Sequence, residues 1–106
     1  MTTQASPHER LAREGLAPSA WSNGPGDAHA VHDHPYDKVI VVETGSIRFG
    51  LPATALAIDL TAGDRLELPA GTAHDALVGP HGVRCLEGHA PAGRLGAIAH
   101  HKAGSW

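Results

Sequence analysis

The chain has 106 residues, a formal net charge of −3 and only 8 lysines and arginines, which are scattered along it. This length fits one domain, and the scattered basic residues disfavour a nucleic-acid-binding surface. No apolar run approaches the about 20 residues that cross a bilayer, and the N-terminus lacks a signal-peptide pattern. We therefore expect a cytoplasmic protein that binds neither nucleic acid nor membranes.

Cysteine and histidine contents point in different directions. Cys85 is the single cysteine, so no intrachain disulfide can form, which agrees with a reducing compartment. Nine histidines are more than a neutral surface needs, and histidine is the commonest metal ligand. The histidines are the strongest lead to a function.

The N-terminal segment, residues 1–19, is predicted to contain a short helix. Ser6 is placed as the N-cap, Pro7 as the first helical residue, and Glu9 as the partner in a capping box. Gly15 is the expected stop. We expect residues 20–99 to form the main domain and residues 100–106 to be a tail outside any element.

From about residue 20 onward, short apolar runs alternate with Gly, Pro and Asn, which is typical of an all-β protein. Residues 56–60 alternate apolar with small or polar side chains, as a half-buried strand does. The predicted strands are 28–32, 38–43, 45–51, 54–60, 64–68, 73–78 and 82–88, with 94–99 as a further candidate.

Residues 39–42 read Val-Ile-Val-Val and are apolar throughout. Such a strand is expected to be covered on both faces, either by a second sheet or by a partner subunit. We therefore expect a homodimer.

Three histidines are placed to share one ion. In a strand, His32 and His34 project to the same face about 6.6 Å apart, so both imidazoles can reach one ion. His74 follows a turn at residues 68–72, in which Pro and Gly support a sharp reversal of the chain. It is the natural third ligand.

The spacing around these histidines resembles the two sequence motifs of the cupin family. The resemblance implies a small single-domain cupin: a six- to eight-stranded antiparallel β-barrel of the double-stranded β-helix, or jelly-roll, type. It also implies a metal inside one mouth of the barrel, with a small-molecule pocket above it. The matching residues are Gly26, His32, His34, Lys38 and Gly45, then Gly63, Pro69, Gly71 and His74.

Two positions depart from the cupin pattern. Lys38 stands where the first motif usually has a glutamate ligand, and Val78 stands where the second usually has asparagine. Lys38 either supplies a charge, a base or an imine-forming amine at the site, or it points away and pairs with an acidic side chain. The candidate acids are Asp37, Glu43 and Glu87. Val78 is expected to pack in the core.

A hairpin turn at residues 79–82 would place His74 opposite Glu87 and Ala76 opposite Cys85. Glu87 could then ligate the metal or hydrogen-bond a ligating imidazole. Cys85 could be a thiolate ligand or a small buried apolar residue.

The other histidines are expected to lie outside the metal site. His29 precedes His32 by three residues, which turns it to the opposite face of a strand unless a bulge intervenes. The remaining five are expected to be surface residues: His8, His81, His89, His100 and His101.

The leading function hypothesis is a metalloenzyme that acts on a small organic molecule by dioxygenation, isomerisation or decarboxylation. It would use one divalent transition metal ion, with Fe(II) expected first and Mn, Ni, Cu and Zn left open. Lys38 and Glu87 are the candidate catalytic residues.

One alternative hypothesis is a non-catalytic protein that binds or senses a small ligand, with or without metal. Another is a structural barrel whose histidines no longer bind metal. The pocket of the ligand-binding alternative would be lined by Trp21, Ile40, Val42, Leu66 and Leu68.

Overall fold

The computed structural model describes residues 5–106, which form one short helix and seven antiparallel strands. The expected all-β class with a short N-terminal helix is confirmed. No helix in the described residues is long and apolar enough to cross a membrane. The elements are α1 (Pro7–Arg13), β1 (Ser19–Asn23), β2 (Ala28–His32), β3 (Asp37–Leu51), β4 (Leu56–Thr61), β5 (Arg65–Leu68), β6 (His74–Ala90) and β7 (Ala99–His101).

Helix α1 begins and ends as its sequence predicts. The Ser6 side chain accepts a hydrogen bond from the Glu9 amide at 3.1 Å, and Pro7 is the first helical residue. Gly15 follows the helix with φ +78°, a conformation that glycine adopts without strain. The helix buries Leu11 completely against the strands.

Two long strands, β3 and β6, each contribute to two layers that pack face to face. The first layer consists of β1, β5 and β7 with residues 37–45 and 83–90. The second layer consists of β2 and β4 with residues 46–51 and 74–78. The pairing of β3 with β6 shifts register twice, at Glu43 and at Ser46, as the strands pass between the layers.

The predicted hairpin at residues 79–82 is wrong, because β6 runs through this segment without reversing. Val78 pairs with Ile47, and Val83 pairs with Gly45. Glycine is needed at this crossing: a Cβ on Gly45, which has φ +79°, would collide with the carbonyl of Gly82. These glycines therefore permit a bend between layers rather than a turn.

The core between the two layers is apolar. Ile40, Val42, Leu66 and Leu68 belong to it and are at most 2% exposed. Val78 is also in this core, as expected.

Residues 39–42 are covered on both faces, as predicted, but the second cover belongs to the same chain. Val39 and Val41 face outward from the first layer, where Leu11 and Leu16 of the N-terminal segment pack on them. The C-terminal Trp106 completes this outer cluster. These residues therefore no longer support the homodimer, which stays a prediction.

The expectation that residues 100–106 lie outside any element is wrong for the first two of them, whereas residues 102–106 follow the last strand. His100 and His101 are in β7, which pairs with β5. The Trp106 indole donates to the Gly63 carbonyl at 2.9 Å, and the Arg10 guanidinium stacks 4.0 Å from the centre of its ring. One aromatic ring at the end of a polar segment thus provides the packing that the local sequence does not suggest.

Candidate metal centre

The structure brings His32, His34 and His74 together, as predicted. One ring nitrogen of each lies within 4.8 Å of those of the other two, and within residues 5–106 no further Cys, Asp, Glu or His joins this group. His32 at the end of β2 is paired directly with His74 at the start of β6. His34 follows in the loop before β3. Two neighbouring strands and one loop therefore form the cluster.

The two sequence motifs are hydrogen-bonded to each other. Gly71 has φ +79° in the turn before His74, and its amide donates to the His34 carbonyl at 2.8 Å. The same turn is closed by a hydrogen bond from the Thr72 amide to the Pro69 carbonyl at 3.2 Å. The loop that carries His34 and the turn that leads to His74 are thus held together by backbone bonds.

Backbone carbonyls set the tautomer of two of the histidines. Nδ1 of His32 lies 2.7 Å from the Ala30 carbonyl, and Nδ1 of His74 lies 2.8 Å from the Thr72 carbonyl. A carbonyl only accepts, so each Nδ1 carries the proton and each Nε2 presents a lone pair. Nε2 of His74 is buried without a hydrogen-bond partner among residues 5–106. A buried acceptor of this kind fits a metal ligand.

His34 reaches the same tautomer through side chains. Lys38 Nζ lies 3.4 Å from Nε2, and an ammonium can only donate. Nδ1 therefore donates to the Tyr36 hydroxyl oxygen at 3.1 Å. Sequence reasoning missed Tyr36, whose only signal was its position two residues after His34.

The electrostatic surroundings favour neutral imidazoles. Burial lowers the pKa of His74, and burial together with the nearby Lys38 ammonium lowers the pKa of His34. The neutral form is the one that binds a metal ion.

Lys38 pairs with Glu87, which was one of the three acids considered for it. Lys38 Nζ lies 3.0 Å from Glu87 Oε1, and the two side chains are 11% and 15% exposed. The other two acids are used elsewhere: Asp37 accepts from the Ala70 amide at 2.8 Å, and Glu43 pairs with Arg84 at 3.0 Å. The pairing does not withdraw Lys38 from the site, because its ammonium also contacts His34.

Three donors hold the Glu87 carboxylate. Besides Lys38, the Trp21 indole donates at 3.1 Å and His89 Nε2 donates at 2.6 Å. Burial opposes ionisation, but the hydrogen bonds from His89 and Lys38 and the positive charge beside the carboxylate together outweigh it and lower the pKa of Glu87. His89 was expected to be a surface residue only. Its signal was the two-residue spacing from Glu87, which places both on one face of β6.

Neither Glu87 nor Cys85 supplies a fourth ligand in this arrangement, since both lie outside the histidine cluster. Cys85 is completely buried, and burial raises the pKa of its thiol to about 12. It is therefore the small buried residue of the two alternatives considered. Glu87 contacts Lys38 rather than a ligating imidazole.

His29 faces the same cavity as His32, contrary to the simple strand expectation. A register shift separates His29 from His32 in the pairing with β6. This bulge changes the side-chain alternation, and His29 Nε2 lies 3.0 Å from Asn23 Oδ1 at the edge of the cavity.

A cavity of about 280 Å³ lies against the histidine cluster. Of the five residues predicted to line it, only Trp21 does; the four aliphatic residues, including Ile40 and Leu68, lie in the core between the layers. The lining residues are Trp21, Asn23, His29, His32, Lys38, Phe49, His74, Ala76 and Glu87. The cavity can hold a small molecule beside an ion on the three imidazoles.

No family model matches the chain, and no curated protein matches it. Solved structures do match, and several are of oxalate decarboxylase from Bacillus subtilis. One, studied for its Mn(II) centers, is 20% identical with a TM-score of 0.64, over 76% of this chain and 22% of that chain. A deletion mutant of the same enzyme is 21% identical with a TM-score of 0.64, over 78% of this chain and 23% of that one. This chain spans under a quarter of their length, and the likeness is one of fold.

Proposed function

We propose that this chain, which has the cupin fold, binds one divalent transition metal ion through His32, His34 and His74. The observation that carries the proposal is the convergence of three imidazoles, with Nε2 of His74 buried and unpartnered within the described residues. Fe(II) is the first candidate, and Mn(II) gains support from the manganese centers of the Bacillus subtilis oxalate decarboxylase. Ni, Cu and Zn also suit imidazole ligands.

We further propose that the chain is a metalloenzyme for a small organic molecule. A divalent ion on three neutral imidazoles keeps its charge and its open positions, so it supplies Lewis-acid or redox chemistry. Trp21 and Phe49 line the cavity and would orient the molecule. Lys38 and Glu87 offer a proton donor and a carboxylate 3.0 Å apart at the cavity wall. Dioxygenation, isomerisation and decarboxylation are the candidate reactions.

The second candidate is a non-catalytic protein that binds or senses a small ligand. The apolar part of the cavity wall favours it, because Trp21, Phe49 and Ala76 can hold a ligand with or without an ion. Both candidate functions include the proposals that the protein is cytoplasmic and that it forms a homodimer. Analytical ultracentrifugation tests the homodimer.

Metal analysis of protein purified without a histidine tag tests the metal site. After reconstitution with Fe(II), Mn(II) or Zn(II), we expect about one ion per chain and its loss in His74→Ala. Lys38→Glu should bind the ion more tightly, because a carboxylate replaces an ammonium beside His34. His81→Ala is the control, since His81 is exposed and lies far along β6. Metal well below one ion per chain in the reconstituted wild type would overturn the proposal.

Activity measurements separate the two candidates. Oxygen uptake and product analysis with small carbonyl, enol and thiol compounds should show turnover by the loaded wild type. Lys38→Met should reduce turnover while keeping the bound ion. Saturable binding of such compounds without turnover would favour the sensor.

A further inference from the structure

The charges that line the cavity cancel before any ion is bound. Of the lysine, arginine, aspartate and glutamate side chains in the described residues, two line the cavity, Lys38 and Glu87. They form an ion pair with 3.0 Å between Lys38 Nζ and Glu87 Oε1. An imidazole that ligates an ion does so in its neutral form, so the three histidines would add no charge of their own to a bound ion. The remaining wall around Trp21 and Phe49 is largely apolar.

A divalent ion on the three histidines would therefore bring two positive charges that no protein carboxylate ligand offsets. Glu87 is held by Trp21, Lys38 and His89 at 2.6–3.1 Å, so its carboxylate is already fully engaged. Two other acids are close in sequence to the cluster. Asp33 is exposed to solvent, which screens its charge, and Asp75 accepts from the Gly50 amide at 3.0 Å.

We infer that the molecule bound in this cavity is a small organic anion, a carboxylate or an enolate with one apolar group. Its charge would face the histidine cluster and Lys38, and its apolar group would pack on Trp21 and Phe49. A cavity of about 280 Å³ has room for a group such as a single ring beside the ion. This inference rests on the proposed metal site and names the ligand class for it.

Lys38 and Glu87 have opposite effects on the preference of the cavity for an anion. Lys38 Nζ lies between Glu87, at 3.0 Å, and Nε2 of His34, at 3.4 Å. Replacing Lys38 by Met leaves the Glu87 charge uncompensated beside the ligand. Replacing Glu87 by Gln instead leaves the Lys38 charge uncompensated. The first change repels an anion and the second attracts it.

The test uses the full chain loaded with Co(II), whose visible absorption reports ligand binding at the metal. Benzoate and benzamide are the probes, since they share shape and differ in charge. We expect benzoate to bind at least about tenfold more tightly than benzamide. The ratio of the benzamide to the benzoate dissociation constant measures this preference. Glu87→Gln should raise the ratio, and Lys38→Met should lower it. Arg48→Met removes an exposed cation on β3 that does not line the cavity, and it should leave the ratio unchanged.

Each other result has a definite meaning. Equal binding of the two probes to the loaded wild type would overturn the inference while leaving the metal site intact. So would a shift of the ratio in the same direction by both single variants. Failure to bind Co(II) would overturn the proposed metal site and this inference with it. If Lys38→Met does not fold, the double variant Lys38→Met with Glu87→Gln replaces it, and its ratio should fall below that of Glu87→Gln.

Discussion

The two layers differ in how they are covered and in what they contribute to the cavity. The first layer is covered outside by Leu11 and Trp106, whereas the second has Leu77 on its outer face, 50% exposed. The first provides Lys38 and Glu87, and the second provides two histidines of the cluster. The layer that is covered on its outer face thus holds the partly buried ion pair. The half-exposed layer positions its imidazoles by hydrogen bonds to backbone carbonyls.

The largest expected effect comes from removing the outer cover. Leu11→Ala deletes a completely buried side chain and should lower the free energy of unfolding by about 2–5 kcal/mol. Leu77→Ala is the matched control on the exposed layer and should change it by less than about 0.5 kcal/mol. Urea denaturation of both variants measures the difference. Equal losses would mean that the second layer is also covered, for instance by another subunit.

A smaller effect is expected from the ion pairs of the two layers. Arg65 is 8% exposed, makes two hydrogen bonds to Glu14 at 2.7 and 2.8 Å and pairs with Glu67. Arg65→Met should cost about 1–3 kcal/mol of unfolding free energy, since the partly buried Glu14 carboxylate loses both of its hydrogen bonds to Arg65. Arg48 is 58% exposed in its pair with Asp59, so solvent screens this pair and Arg48→Met should cost clearly less than Arg65→Met. Thermal unfolding at two salt concentrations compares the two variants, and a larger loss for Arg48→Met would reverse the ranking.

The smallest effect is a pH dependence that separates the layers in metal-free protein. The pKa of His74 is lowered from its usual 6.5, so below pH 6.5 the unfolded chain binds protons that the folded chain does not. The free energy of unfolding should therefore decrease as the pH is lowered below 6.5, and His74 contributes at most about 1.4 kcal/mol of this decrease per pH unit. Glu87, whose pKa is lowered from 4.5, should contribute stability above pH 4.5 that is lost at lower pH.

Denaturation curves at successive pH values test whether the His74 contribution is lost at a higher pH than the Glu87 contribution. His74→Phe should reduce the change just below pH 6.5, leaving the part that His34 contributes through its own lowered pKa, and should keep the change below pH 4.5 in place. His81→Phe, at an exposed position, should alter neither. An unchanged slope below pH 6.5 in His74→Phe would contradict the assignment to His74.

Part of the candidate site was predictable because it is local. His32 and His34 are two residues apart, and the Pro69–Gly71 turn precedes His74, so short-range geometry placed them correctly. The partner of Lys38 was not predictable in this way. Three acids were equally plausible for it, and only the pairing of β3 with β6 selects Glu87.

The predicted cavity lining failed for a related reason. Alternation along a strand says which residues face inward, but it does not say how deep they lie between two layers. Ile40 and Val42 face inward below the cavity, whereas Phe49, on the same strand beyond the crossing, reaches it. The bulge that turns His29 into the cavity likewise arises from strand pairing rather than from spacing.

The sequence by itself determined the all-β class, the N-terminal helix and the three histidines, because periodicity, capping and turn residues act over a few positions. It also showed that residues 39–42 are covered on both faces. Only the tertiary structure decided that α1 and Trp106 provide that cover, and that β6 crosses the layers instead of turning back. These features depend on contacts between residues far apart in the chain, which no local pattern records.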